Sequence, residues 1–125
     1  MANSNRESVE RLLAGINSGD TSIMDEVFHH DALMDWPQFG ERIRGAENRR
    51  SIYANIPALP KIATRRIFGA GDLWIAEAIL DYDGSKFNAI LVFEFRDGKI
   101  ERETAYWAAP GEPAAWRAAW VEPLN

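Results

Sequence analysis

The chain has 125 residues, 46 % of them hydrophobic, and a net charge of −5. This size and composition fit one globular domain that buries roughly two-thirds of the surface its unfolded chain exposes, so disorder is not expected. No run nears the ~18 apolar residues of a membrane span, and the 14 Lys and Arg fall in small groups, Arg42/Arg44, Arg49/Arg50 and Arg65/Arg66, which excludes the positive stripe that nucleic-acid binding needs. Cysteine is absent, which removes disulfides, thiolate nucleophiles and thiolate-bound metals. Met1–Arg6 has no apolar signal core, so a cytoplasmic location is expected.

Ser4 and Glu7 have capping-box spacing. Val9, Leu12, Leu13 and Ile16 then recur at i, i+3, i+4 and i+7, which predicts a first helix ending at Gly19. Asp20 or Thr21 is placed to cap a short second helix carrying Ile23, Met24, Val27 and Phe28. His29-His30-Asp31 falls at its end, where neighbouring histidines diverge. No third ligand has useful spacing, so no metal site is expected. Ala32–Pro37 reads as a strand closed by proline, with Glu41–Arg44 returning beside it. Gly45 opens a third helix whose apolar side holds Ile52, Tyr53 and Ile56, and Pro57 and Pro60 end it.

Four strand-like runs follow: Lys61–Phe68, Leu73–Tyr82, Ser85–Phe95 and Lys99–Trp107. Asp83-Gly84 and Asp97-Gly98 between them are hairpin signals. Gly69-Ala70-Gly71 is a turn and not a phosphate loop, because no helix start follows it. Pro113 fits the first position of a terminal helix that sets Trp116 and Trp120 on one face, against the barrel or a partner subunit. Helices first and sheet second make an α+β pattern.

Alternation along strands decides what faces the helices. A two-residue turn at Asp83-Gly84 pairs Tyr82 with Ser85. Trp74, Ala76, Ala78, Leu80, Phe87, Ala89, Leu91, Phe93 and Phe95 then share the inner face. The second turn leaves two registers open. A two-residue turn puts Ile100, Arg102, Thr104 and Tyr106 inside. A three-residue loop with a bulge at Gly98 puts Glu101, Glu103, Ala105 and Trp107 there instead.

Several strings carry a family likeness: Trp36-Pro37-Gln38, Gly40-Glu41-Arg42-Ile43-Arg44-Gly45, Phe93-Glu94-Phe95-Arg96-Asp97-Gly98-Lys99-Ile100, and Tyr106-Trp107 leading to Trp116-Arg117. Over nearly its whole length the chain resembles the SnoaL-like branch of the nuclear transport factor 2-like superfamily. The resemblance implies a single SnoaL-like domain over residues 1–125. In such a domain a cone-shaped, curved antiparallel sheet wraps around N-terminal helices, and a short C-terminal helix follows. It also implies a pocket on the concave face, a homodimer through the convex face, and the bulged register, since relatives place pocket groups at positions matching Ala105 and Trp107.

Ketosteroid isomerases of this fold use a base carboxylate with a tyrosine and a protonated aspartate as oxyanion hole. The matching positions here are Trp36, Leu12 and Leu91, which rules that arrangement out. The aspartate–arginine–aspartate cluster of limonene-epoxide-hydrolase relatives maps to Ala105, Ala78 and Leu80, and the acid/base aspartate of SnoaL-type cyclases maps to Ala105. Glu103 and Asp35 therefore stand as the candidate acid/base residues. The expected pocket lining is Trp36, Gln38, Tyr53, Trp74, Ala78, Leu80, Leu91, Phe93, Ala105 and Trp107. A carboxyl among such side chains would have a raised pKa and exchange protons near neutrality. The expected ligand is a small apolar, cyclic molecule, handled without cofactor by an isomerase, lyase or cyclase. The alternatives are a non-catalytic binder and a dimeric interaction protein.

Overall fold

The computed structural model describes residues 4–124; residues 1–3 of the segment read for a secretion signal lie outside it. The first helix, α1 (Asn5–Ser18), starts where Ser4 Oγ accepts from the Glu7 N–H and stops at Gly19 in the left-handed conformation. A short α2 (Ile23–Val27) follows. Neither Asp20 nor Thr21 is its cap residue: Ser22 is, and Asp20 instead accepts from the Ser22 N–H in the turn before it. Phe28 leaves that helix and begins β1 (Phe28–Trp36), which is longer than the predicted Ala32–Pro37.

After a 3-10 turn at Pro37–Phe39 come β2 (Glu41–Arg44), α3 (Gly45–Asn55), β3 (Lys61–Ala70), β4 (Leu73–Tyr82), β5 (Ser85–Arg96) and β6 (Lys99–Ala108). The six strands form one curved, open sheet in the order β2-β1-β6-β5-β4-β3. It is antiparallel except where β1 and β6, its second and third strands, run parallel. Parallel neighbours need a long crossover, and here everything from β2 to β5 supplies it. The expectation of a wholly antiparallel sheet is corrected at that one pair.

Both Asp-Gly hairpins of the second half turn on two residues. Asp83 and Gly84 have φ of 55° and 99°, Asp97 and Gly98 φ of 51° and 82°, and the flanking pairs are Tyr82–Ser85 and Arg96–Lys99. Positive φ at both central positions matches the right-handed strand twist, which is why Asp-Gly suits them. The three-residue loop expected at Gly98 is therefore not formed. The irregularity lies further along: Phe95 pairs with Ile100 but Glu94 with Arg102, so Glu101 is the extra residue of a bulge. Side chains change face there, and both Ile100 and Glu103 point inward.

The core lies between the concave sheet face and the helices. Val9, Leu12 and Leu13 of α1 pack with Ile23, Met24 and Val27 against Phe28, Met34, Ala76, Ala78, Leu80, Ala89, Leu91, Phe93 and Phe95. Burying such side chains at roughly 25 cal/mol per Å² is the main stabilising term. The buried side of α3 is Ala46 and Arg49, with Tyr53 partly buried beside them; Ile52, expected there, is exposed. No helix among the described residues is long and apolar enough to cross a membrane. The terminal Ala115–Trp120 turn is 3-10, and Trp116 and Trp120 are 76 % and 80 % exposed, so neither clamps it to the sheet.

Candidate functional site

The concave face does not fill completely. A cavity of about 280 Å³ remains between α1, α3 and the sheet. Ile16 closes it from α1, Tyr53 and Ile56 from α3, Pro60 and Ile62 from the approach to β3 and its start, and Trp36 from the end of β1. Leu80 and Tyr82 of β4, Leu91 of β5, and Glu103, Ala105 and Trp107 of β6 form its floor. Glu103, Tyr53 and Tyr82 carry the conventional polar functions; the other lining side chains are apolar apart from the two indole N–H groups.

Glu103 reaches the cavity because the Glu101 bulge restores odd-numbered residues to the inner face. Across the ladder it pairs with Phe93, and on the parallel side with Met34. Only 8 % of its surface is exposed. Removing a carboxylate from water disfavours its charged form, and this burial pushes Glu103 from 4.5 up to about 7. The group can thus give or take a proton at neutral pH. Burial, and then the charge of Glu103, push the Tyr53 phenol well up, and burial raises Tyr82. Both remain hydrogen-bond donors wherever Glu103 titrates.

Asp35, the second acid/base candidate, is not in this cavity. Its neighbours Met34 and Trp36 turn toward the core, so alternation turns Asp35 the other way. Arg42 grips it with Nε at 2.6 Å and Nη2 at 2.9 Å, and Arg102 Nη1 lies 3.6 Å away. The Arg42 hydrogen bonds outweigh desolvation and hold its carboxyl below the usual range. That is an ion-pair role on the convex side.

Of the ten predicted lining residues, Trp36, Tyr53, Leu80, Leu91, Ala105 and Trp107 do meet in the cavity. Gln38 instead accepts the Trp107 N–H at 2.8 Å, fastening the Pro37–Phe39 turn to β6. Trp107 is held further by edge-on contact with Trp36, centroids 5.6 Å apart, and by Phe39 at 5.5 Å. Trp74 lies toward the other end of the sheet, its Nε1 donating to Gly71 O with Arg6 over its ring. Phe93 beside it is wholly buried, and Ala78 is ordinary core. The prediction missed Ile16, Ile56, Pro60, Ile62 and Tyr82. Tyr82 was within reach, since the alternation that puts Leu80 inside puts Tyr82 inside too. His29 and His30 belong to β1 and not to a helix end; His29 meets the Arg96 carbonyl and His30 is exposed.

A wider, shallower groove of about 600 Å³ borders Trp36 and Ile56 on the outside of α3. Its one ionised side chain, Arg42, is already paired with Asp35. The Glu103 cavity, the more enclosed of the two, is the better candidate site.

Residues 9–103 match the model of the SnoaL-like domain. No curated protein matches the chain. Among solved structures, an NTF-2 like protein of unknown function from Burkholderia xenovorans LB400 is 34 % identical, with a TM-score of 0.87 over 97 % of this chain and 95 % of that one. A candidate ketosteroid isomerase from Kribbella flavida is 20 % identical, also at 0.87, over 97 % and 90 %. An LEH-like epoxide hydrolase from M. tuberculosis is 22 % identical at 0.71, over 82 % and 81 %. The last two share the fold, and their activities are their own. With most of its length matched to the family and a close structural relative across nearly all of it, the chain belongs to the SnoaL-like domain family of NTF2-like proteins.

Proposed function

We propose that this protein binds a small, apolar, cyclic carbonyl compound in the Glu103 cavity and moves a proton on it, as an isomerase, lyase or cyclase does. One observation carries the reading: the sole carboxyl lining an apolar cavity is buried and titrates near neutrality. The Glu103 carboxylate would take a proton from a carbon next to the carbonyl, breaking C–H and forming O–H. A Tyr53 or Tyr82 phenol would donate to the enolate oxygen as charge develops there, and Glu103 would return the proton to carbon. These steps ask for no cofactor.

The test is exchange. Cyclic ketones and enones are incubated with the protein in D2O at neutral pH, and loss of the α-proton signal is followed by NMR. Glu103→Gln should slow exchange by about 10²-fold or more, the usual contribution of a positioned acid/base group. Exchange equal in both proteins would end the proposal. Trp36 and Trp107 border the cavity, so their fluorescence reports binding separately. Binding without exchange would select the non-catalytic reading, which Ala105 favours by offering no second carboxyl beside Glu103.

We also propose that a second copy covers the convex face. Phe68, Ile90 and Tyr106 are exposed on it. Such an apolar sheet surface fits a homodimer interface.

A further inference from the structure

Arg49 is a guanidinium in the wrong solvent. It lies one turn before Tyr53 on the buried side of α3 and is 2 % exposed. Its Cζ sits 4.9 Å over the Phe28 ring, and Nη2 comes no nearer than 3.5 Å to an Asp25 oxygen. Nε and Nη1 find no partner among the described residues. The three N–H donors on Nε and Nη1 are withdrawn from water without acceptors, and leaving them unmatched is costly.

The local charge does not balance either. Asp25 is shared, because Arg50 Nε lies 3.1 and 3.3 Å from its two oxygens. Glu26, next in the chain, turns away to Arg11. One carboxylate therefore faces two guanidiniums. Beside them is a cavity of about 180 Å³ bordered by Thr21, Ser22, Asp25, Arg49, Arg50 and Tyr53. It is separate from the Glu103 cavity, with Tyr53 bordering both.

We propose that this second cavity is an anion site, in which a small oxyanion, carboxylate or phosphate, pairs with Arg49. The excess positive charge selects the sign, and the volume admits only a small group. Guanidinium hydrogen bonds to an oxyanion are charge-assisted, and Arg matches a planar or tetrahedral set of oxygens. Thr21 borders the cavity, and its hydroxyl can add a further donor. The proposal does not depend on the chemistry assigned to Glu103.

The experiment titrates sodium phosphate and sodium acetate against sodium chloride at matched ionic strength. It follows thermal unfolding and, by nitrogen-15 NMR, the Arg49 Nε–H resonance. A saturable rise in melting temperature beyond chloride, with movement of that resonance, is expected. Phosphate alone or acetate alone would name the source. Arg49→Leu should weaken the apparent affinity by at least about tenfold, the scale of one lost charge-assisted pair, and Arg50→Gln by less. A rise no larger than with chloride, or one that persists in Arg49→Leu, means an adventitious ion only and overturns the site. If Arg49→Leu does not fold, an unmoved Nε–H resonance in the wild type at saturating anion overturns it equally.

Discussion

Glu103→Gln should change how stability depends on pH, in a direction fixed by the sign of the Glu103 shift. The unfolded carboxyl titrates near 4.5 and the folded one near 7. Folding therefore favours the protonated form. Its full contribution is present below pH 4.5, shrinks as pH rises from there through about 7, and is gone above. A rise from 4.5 to about 7, at about 1.4 kcal/mol per pH unit, amounts to about 3 kcal/mol. That is a large part of the 5–15 kcal/mol typical of a whole domain. Urea unfolding of wild type and Glu103→Gln from pH 4.5 to 8.5 gives two curves, and their difference cancels the other titrating groups. Relative to wild type, the amide variant should gain about 3 kcal/mol between the two ends, with most of the gain between pH 5 and 7.5. Parallel curves would show that Glu103 ionises as freely folded as unfolded, and the argument from burial would fail.

Four further outcomes follow from the same structure. Asp35→Asn should leave α-proton exchange within about twofold but lower stability at pH 7; because its folded pKa is depressed, that loss should fade as pH falls below the ordinary carboxylate range, measured by urea unfolding. Ala105→Leu pushes a larger side chain into the 280 Å³ cavity and should weaken ligand binding by about tenfold or more while leaving the fold intact, read by tryptophan fluorescence and circular dichroism. Gly69→Ala should cost about 2 kcal/mol or more in urea unfolding, since an added Cβ would meet Leu73 O and the Trp74 Cα at a φ of 152°. Ile90→Lys should shift sedimentation toward the monomer without lowering the stability of each subunit, and an unchanged mass would remove the convex-face dimer.

Much of the fold was legible because its signals are local. The α1 stripe, the Ser4 cap, Gly19 and the Asp83-Gly84 turn act through a few neighbouring residues, and each stands where expected; Asp97-Gly98 also turns a hairpin, but on two residues and not on the expected three. The helix ends and strand starts around residues 27–31 were not. Phe28 continues the apolar spacing of α2, and only pairing with the distant Ile100 makes it strand. The parallel contact of β1 with β6 is of the same kind: nothing near either strand in the chain announces it. Arg49 was hidden for a different reason. A charged residue reads as solvent-facing, yet Ala46, Arg49 and Tyr53 form a stripe at i, i+3 and i+7, and the tertiary packing of that stripe overrode the charge.

The site itself rests on a bulge that no turn residue marks. With a two-residue turn at Asp97-Gly98 and an unbroken ladder, Arg102 and Thr104 would face the helices and Glu103 would face out. The extra residue at Glu101 reverses this, and the ionic pairs suggest why it is tolerated. Glu101 meets Arg96 at 3.0 Å, and Arg102 reaches toward Asp35 and Glu94 at 3.6 and 4.0 Å, all on the convex side. Without the bulge, Arg102 would be driven into an apolar core with no carboxylate but Glu103, which would then be gone from it. Burying an unpaired guanidinium costs more than interrupting one ladder step. The bulge thus turns Arg102 outward and Glu103 inward, and Glu103 is the group able to stay neutral.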